Sequence, residues 1–328
     1  MTLLRAVLNR LSRAPRFKPP AESAADLARR AKVNEVWSAD AERRAAVEGW
    51  YWMAHPAVQR RLNRLASGTP EIDVYGHLAR TLRGLGFELP LERCMSLGCG
   101  AGGLERHLSS AGMVRRIQAY DIAQGALAKA RQAATDGRYE GLEYHLVDLE
   151  TVEFPPGETD VVFAHQSIHH VERLEPLFAK VRQTLRRGGV FHLHEFVGPT
   201  RFQWTDEQLR LVNGFLDSLP ASLRRLPNGT LKPAMTRPTV EAMIVADPSE
   251  AIRSKDIIPA LRQHFDVVEH RALGGAVMHL ALGDIAQNFD PADADHAERL
   301  DSLAALEDQA MAAGRIDSDF AVLTAVRR

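Results

Sequence analysis

The chain has 328 residues, of which 45% are hydrophobic and 25% charged, a balance typical of folded globular proteins that argues against wholesale disorder. Lys and Arg total 41 against 42 for Asp and Glu, so the chain lacks the basic excess of a general nucleic-acid binder. Its two cysteines, Cys94 and Cys99, are too few for a disulfide framework, and its longest uncharged stretch, 272–283, is too short for a membrane-spanning helix of about 20 residues. A soluble, cytoplasmic protein is expected.

The N-terminal part is predicted to be helical. Residues 1–19 carry five basic residues and no acid, with Leu and Val on one helical face, which is typical of a basic amphipathic tail that docks on the protein body or touches an anionic membrane surface. Residues 20–90 contain Ala-, Arg- and Glu-rich segments without an alternating β pattern, and predict a helical cap.

Residues 91–328 are predicted to form one domain. From residue 93 to about 196, short apolar runs alternate with amphipathic helices, which is typical of a doubly wound, mostly parallel α/β sheet. The predicted strands are 93–97, 116–120, 142–147, 161–163, 190–193, 265–268 and 320–326. The helix after the fourth strand is predicted to stop at Gly188–Gly189. Two insertions are expected, at about 199–250 and 274–316.

A glycine loop and two strand-end acids predict a nucleotide-like ligand. The segment 97–103 reads LGCGAGG, between the first strand and a helix, and its glycines let a ligand approach the backbone N–H groups. Asp121 ends the second strand and Asp148 ends the third. Because ligands of such sheets bind beyond the carboxyl ends of the strands, the loop and both acids are expected to share one crevice.

In these segments the sequence resembles class I S-adenosylmethionine-dependent methyltransferases. The resemblance is carried by LGCGAGG, AYDI, LVDLE, TDVVFAHQSIHHV and LRRGGVFHLHE, in the order and spacing of that family. It implies a seven-stranded Rossmann-like sheet of order 3-2-1-4-5-7-6 and S-adenosyl-L-methionine as cofactor. The segments WYWMAHP, GPTRFQW and DPSEAIRS are similar to those of a bacterial subgroup associated with saccharide or natural-product methylation.

The resemblance also implies roles for individual residues. Glycines of the loop would border the methionine part of the cofactor, Asp121 would hold the ribose hydroxyls, and two residues after the third strand would flank the adenine. The implied cofactor contacts are Gly98, Gly100, Gly102, Asp121, Ile122, Asp148, Leu149 and His165. The family usually has an acid two residues before the first glycine, where this chain has Ser96. The contact near the cofactor's amino group is therefore expected to be weak or to come from another acid.

Histidines after the fourth and fifth strands are the candidate bases, because imidazole accepts protons near neutral pH. His169 is the first choice, His165 the second, and His170 is expected to position its neighbours. Glu195 is expected to orient an imidazole or to bind a sugar hydroxyl. His192 and His194 share one strand face and are more simply read as interior groups. Two histidines and a carboxylate can bind a metal, but with no H-E-x-x-H helix and no Cys/His ligand spacing, no metal is predicted.

Aromatic and basic residues outside the sheet are the candidate acceptor contacts. Trp52 and Trp204 could stack on a sugar or pack in the protein, and Arg201 could pair with a phosphate or carboxylate or stay in a solvated loop. Thr205–Gln208 predicts a helix capping box. Asp247–Glu250 is interpreted as another helix start rather than a site.

The function predicted from these features is methyl transfer to a hydroxyl of a small molecule or saccharide, with a histidine assisting deprotonation. An NAD(P)-dependent oxidoreductase is the alternative from another enzyme class, because G-x-G-x-x-G also serves dinucleotides. A catalytically inactive scaffold of the same fold is the third alternative. Nucleic acid is not expected as a partner, and the sequence leaves the acceptor and the oligomeric state open.

Overall fold

The computed structural model describes residues 24–46 and 51–328. The predicted amphipathic tail, 1–19, lies outside the described residues, as does Trp50. Within the described part of the chain, no helix has both the length and the apolar character that crossing a bilayer requires.

Seven strands form one sheet of order β3-β2-β1-β4-β5-β7-β6, which confirms the predicted fold. β1 to β5 pair in parallel, and β7 pairs antiparallel with both β5 and β6. The strands are β1 (Cys94–Leu97), β2 (Ile117–Asp121), β3 (Leu142–Leu146), β4 (Thr159–His165), β5 (Leu185–Phe196), β6 (Asp266–Gly274) and β7 (Phe320–Val326).

Helices cover both faces of the sheet and fill the connections around its carboxyl edge. They are α1 (Ala24–Ala46), α2 (Pro56–Ser67), α3 (Val74–Gly84), α4 (Gly103–Ser110), α5 (Gln124–Asp136), α6 (Leu174–Thr184), α7 (Asp206–Ser218), α8 (Val240–Ala246), α9 (Ile257–His264), α10 (Met278–Leu282) and α11 (Ala294–Ala312). The first three precede β1, α7 to α9 lie between β5 and β6, and α10 and α11 lie between β6 and β7. The division into cap, core and insertions at the expected boundaries stays a prediction.

Alternating strand residues bury their side chains on opposite faces of the sheet, as period 2 requires. On β4, Val161 and Phe163 join the core that packs under α2, α3, α7 and α10. Val162 and Ala164 join the core under α6 and α9. With both faces covered, polar side chains at the carboxyl ends of the strands are the ones left to face a ligand.

Two local predictions are wrong. The helix after β4 ends at Thr184, and Gly188–Gly189 lie inside β5. There Gly188 has φ 73°, and the pairing with β4 skips from Leu185 to Val190, so the glycines form an irregular strand entry rather than a helix stop. Asp247–Glu250 follows α8 and starts no helix, because the Asp247 carboxylate accepts bonds from the backbone and hydroxyl of Ser249 in a local turn.

Candidate active site

A cavity of about 800 Å³ opens at the carboxyl edge of the sheet. The glycine loop and both strand-end acids line it, as the sequence predicts, and so do three histidines. The predicted residues that line it are Gly98, Gly100, Asp121, Ile122, Asp148, Leu149, His165, His169 and His170. One volume therefore joins the predicted cofactor contacts to the candidate bases.

The conformation of the glycine loop is fixed by contacts with Asp121, at the end of β2, and with Ser167, just after β4. Gly98 has φ 68°, and a Cβ there would lie 2.3 Å from Cβ of Ser167, so no side chain fits. The N–H of Gly100 donates to Oδ2 of Asp121 at 2.7 Å. A Cβ on Gly100 would meet no protein atom within 4 Å, because this face of the loop borders the cavity. Gly102 lies outside the lining and is the N-cap residue of α4, with φ 74°.

Two carboxylates, those of Asp121 and Asp148, line the same part of the cavity as the glycine loop. Asp121 accepts from the N–H of Ala123 as well as that of Gly100, which fixes its side chain at the end of β2. Asp148 accepts from the N–H of Glu150, and its second oxygen lies 3.7 Å from Nε of Arg30 on α1. Burial raises the pKa of both carboxyl groups, and the backbone bonds oppose that effect. A carboxylate that keeps such bonds at a cavity wall is suited to accept hydroxyl donors of a ligand.

His169 and Glu195 form a buried dyad at the opposite end of the cavity. Nδ1 of His169 pairs with Oε1 of Glu195. The other oxygen of Glu195 accepts from the backbone N–H groups of Ser167 and Ile168 at 2.8 and 2.6 Å. Glu195 itself does not line the cavity. It orients the ring so that Nε2 of His169, on the other side of the imidazole, is the nitrogen available for proton transfer.

The charges around His169 make it a stronger base. Burial is the largest influence and lowers the pKa of His169, but the negative charges of Glu195, Glu250 and Asp247 outweigh it, so the pKa is raised above its usual value. Nε2 lies 3.5 Å from Oε1 of Glu250. His169 is thus held between two carboxylates, one behind the ring and one at the cavity.

The other two predicted histidines differ from His169 in their surroundings. Nδ1 of His165 lies 2.5 Å from the Tyr75 hydroxyl, and burial lowers the pKa of His165 to about 4, so it is neutral at pH 7. His170 packs edge-on against Trp37 of α1, with ring centres 4.5 Å apart, and its Nδ1 lies 3.2 Å from Oγ of Ser249. A neutral His165 can donate or accept one hydrogen bond, but it is a weaker base than His169.

His192 and His194 lie outside the cavity lining and are buried in the sheet. Nδ1 of His192 pairs with Oγ1 of Thr324 at 3.2 Å. Neither ring nitrogen of His194 has a hydrogen-bond partner among the described residues. Burial lowers the pKa of His192 to about 3 and that of His194 well below its usual value. Both are neutral interior groups at pH 7.

None of the three predicted acceptor contacts lies among the lining residues. Trp52 is buried and packs against His279 and Phe320, and Trp204 is buried and stacks on Phe202. The guanidinium of Arg201 donates to the carbonyl oxygens of Pro248 and Glu250, so pairing with an acceptor anion would require those bonds to break. Trp52, Trp204 and Arg201 therefore pack behind residues that line the cavity.

Several lining residues escape the sequence reasoning. Phe196, Phe202, His279 and Phe320 form an aromatic wall that faces the His169 end. Tyr51, which belongs to the aromatic segment expected to stack on a sugar or to line the mouth, lies beside them. Glu250 and Ser249 reach the same end from a turn about 80 residues beyond the histidines. No local pattern marks these positions, because the sheet connections and not the sequence spacing bring them together.

A family model described as a methyltransferase domain matches residues 95–193. The biotin biosynthesis bifunctional protein BioHC of Teredinibacter turnerae is 28% identical over 44% of this chain and 28% of its own length. The polyketide methyltransferase of Ustilaginoidea virens is 32% identical over 38% of this chain and 28% of its own length. The chain therefore matches less than a third of the length of these curated relatives.

Among solved structures, the geranyl diphosphate C-methyltransferase of Streptomyces coelicolor shares the fold. The two structures align with a TM-score of 0.52 and 12% sequence identity, over 94% of this chain and all of the other. At that identity the likeness concerns the fold alone.

Proposed function

Since the chain belongs to the class I S-adenosylmethionine-dependent methyltransferase superfamily, we propose that it transfers a methyl group from S-adenosylmethionine to a hydroxyl of a small molecule or saccharide, with His169 as the base. The observation that carries the proposal is the single cavity that joins the glycine loop and Asp121 at one end to the His169–Glu195 dyad at the other.

The described residues fit the cofactor. The Gly98 turn and the open face of Gly100 leave room beside the backbone. In the proposed complex Asp121 accepts the ribose hydroxyls, and Asp148 and Leu149 border the space for the adenine ring. When bound, S-adenosylmethionine supplies an electrophilic methyl group on a positively charged sulfur. The residues around it need only align the acceptor and take up its proton.

The acceptor half of the cavity combines an aromatic wall with polar groups. Phe196, Phe202 and Phe320 offer flat apolar faces, while His169 and Glu250 offer a base and a hydrogen-bond acceptor. This pairing suits a compact acceptor with hydroxyl groups, such as a sugar ring or a phenol. Within a total of about 800 Å³, a macromolecular acceptor could enter only by a terminal group.

In the proposed step, Nε2 of His169 accepts the hydroxyl proton as the acceptor oxygen attacks the methyl carbon. The bond between carbon and sulfur breaks, its electron pair returns to sulfur, and the imidazolium formed is stabilised by Glu195 through Nδ1. Glu250, 3.5 Å from Nε2, is placed to accept a second hydroxyl of the acceptor. A positioned base of this kind contributes about 10² to 10⁴ in rate.

Isotope labelling identifies the acceptor atom directly. The protein is incubated with a small-molecule extract and S-adenosylmethionine carrying a ¹³C-methyl group, and the carbon chemical shift of the product shows whether the label is on oxygen, nitrogen or carbon. A methoxy product is expected. Label on carbon or nitrogen would contradict the hydroxyl assignment, and the absence of any labelled product would contradict methyl transfer.

With the acceptor identified, the base is tested by His169→Gln. We expect turnover to fall by about 10² or more while the affinity for the cofactor stays within about twofold of wild type, because His169 lies at the acceptor end. His270→Gln, which changes an exposed histidine on β6, is the matched control and should turn over normally. Unchanged turnover in His169→Gln would remove the base role.

A further inference from the structure

Three side chains that line the acceptor end of the cavity form a compact group of metal-ligand types. They are His169, His170 and Glu250, and one ligand atom of each lies within 4.8 Å of those of the other two. Two imidazoles with one carboxylate is a ligand set found for zinc and for divalent iron. The sequence offers two histidines and a carboxylate as a possible ligand set but does not point to Glu250, which follows His169 by 81 positions and His170 by 80.

The contacts behind these side chains are those of a supported ligand set. A metal-binding histidine usually donates its other ring N–H to a carboxylate, which fixes the ring and makes it a better ligand. Nδ1 of His169 pairs in this way with buried Glu195, which leaves Nε2 for the ion. Behind His170, Oγ of Ser249 lies 3.2 Å from Nδ1 and also donates to Asp247.

Asp247 adds a further negative charge beside this group of three side chains. Asp247 is buried, and its Oδ2 has no hydrogen-bond partner among the described residues. Its charge is one of those felt by His169. Arg201 already places one positive charge near Asp247, and an ion held by His169, His170 and Glu250 would add a second one close to this buried carboxylate.

The distance between two of the three ligand atoms suits a tetrahedral ion. With ligand bonds of about 2.1 Å, neighbouring ligand atoms of a tetrahedral site are roughly 3.4 Å apart, and Nε2 of His169 lies 3.5 Å from Oε1 of Glu250. We propose that His169, His170 and Glu250 bind a divalent transition-metal ion of the zinc class in the acceptor half of the cavity.

The ion would leave its remaining coordination position facing the cavity, where catalytic zinc sites take a water molecule or a substrate oxygen. An acceptor hydroxyl bound there would be more acidic. The role of the ion in activating the acceptor rests on the proposed function. Binding of the ion does not depend on that function. In the ion-bound protein His169 is a ligand, and in the ion-free protein it is the base proposed above.

Binding is measured without cofactor or acceptor. Protein stripped with a chelator and desalted is titrated with Co²⁺, whose visible absorption reports the ligand geometry, and then with Zn²⁺ to displace it. We expect one equivalent of Co²⁺ to give an absorption band that Zn²⁺ removes. Glu250→Gln and His170→Gln should each weaken Co²⁺ binding by at least about 10-fold. Glu195→Gln, which alters the support of His169 and the bonds from the Ser167 and Ile168 N–H groups, should weaken it by about 10- to 100-fold.

His77→Gln is the matched control, because His77 also pairs with a carboxylate, that of Glu269, but belongs to no such group of three among the described residues. Its Co²⁺ affinity should equal that of wild type. The inference is overturned if wild type gives no band, or if Glu250→Gln binds as tightly as wild type. Methyl transfer without ion binding would leave the proposed function intact, whereas ion binding without methyl transfer would refute the proposed function alone.

Discussion

Ser96 and Glu105 show that a carboxyl group can be absent from β1 and yet be present on the neighbouring helix α4. Ser96 stands on β1 at the position where the resemblance to the family leads us to expect an acid, and it is buried. Glu105, on the first turn of α4, is fully buried below the glycine loop, with the Ser96 side chain close enough to stabilise its charged form. Burial nevertheless raises the pKa of Glu105 to about 7. A carboxyl group therefore remains in this region, supplied by a helix instead of a strand.

The raised pKa of Glu105 makes folding depend on pH. The folded state holds this proton up to about pH 7, whereas the unfolded chain loses it near 4.5. The contribution of Glu105 to the free energy of unfolding therefore falls as the pH rises from 4.5 to 7, by an amount on the order of 3 kcal/mol. Glu105→Gln should thus be more stable than wild type at pH 8 and similar to it at pH 4.5, by guanidinium unfolding.

Glu158→Gln, at an exposed acid, serves as the control and should change stability little at either pH. A Glu105→Gln variant that is no more stable than wild type at pH 8 would show that the carboxyl ionises in the folded protein without cost.

The positions of residues in the cavity were predictable from the sequence where a motif fixes backbone and side chain together. The glycine loop, Asp121 and the histidines after β4 are local patterns, and the cavity contains them. Glu250 could not be found, because its segment resembles a helix start in sequence but forms a turn in which Ser249 donates to one oxygen of Asp247. Trp52 could not be placed either, since a buried indole and a sugar-stacking indole have the same sequence signature.

At the scale of elements, helix α1 is attached to the core through the start of α5. Oδ1 of Asn34 accepts from the N–H of Gln124 at 3.0 Å, and Oγ of Ser38 accepts from the N–H of Gly125 at 3.1 Å. α5 has no side-chain cap of its own, because Ala123 stands at its N-cap position. α1 therefore supplies the cap from another element, and the missing side chain of Gly125 lets Ser38 approach.

This docking should affect ligand binding, because Arg30, Val33 and Trp37 of α1 line the cavity. Ser38→Ala removes one cap bond, worth about 1 kcal/mol. We expect faster amide hydrogen exchange in residues 24–46 and a severalfold weaker cofactor affinity. Lys32→Ala, on the exposed side of the same helix, should change neither. Equal behaviour of the two variants would show that α1 does not depend on this cap.

The sequence predicted the elements best where amphipathic helices alternate with buried strands. Every predicted strand is present, and the capping box at Thr205 is formed as expected. The error at Gly188–Gly189 has a physical origin: a glycine with positive φ ends a helix or bends a strand equally well. Only the pairing of Leu185 with Thr159, a contact distant in sequence, decides between them.

At the scale of the whole molecule, buried histidines make the fold sensitive to acid. His165, His192 and His194 lie together on β4 and β5, and the rings of His165 and His194 are 4.6 Å apart. Burial lowers the pKa of all three. The unfolded chain takes up these protons near pH 6.5, while the folded state does so only near pH 4 or below. The contribution of these histidines to the free energy of unfolding is therefore fully present above about pH 6.5 and is lost as the pH falls.

His194→Leu tests this dependence at a residue outside the cavity. Each buried neutral histidine removes up to about 1.4 kcal/mol from the free energy of unfolding per pH unit below 6.5. The variant should lose less stability than wild type between pH 7 and pH 5, measured by guanidinium unfolding at both pH values. Identical losses in the two proteins would indicate that His194 does not resist protonation in the folded state.

The central claim is that the glycine loop and Asp121 bind an adenosyl cofactor in the cavity, and calorimetric titration tests it most directly. Wild-type protein should bind S-adenosylmethionine with one site per chain and show no binding of NADH, and Asp121→Ala should weaken the affinity by at least about 10-fold through loss of the ribose hydrogen bonds. Binding of NADH without S-adenosylmethionine, or unchanged affinity in Asp121→Ala, would contradict the account.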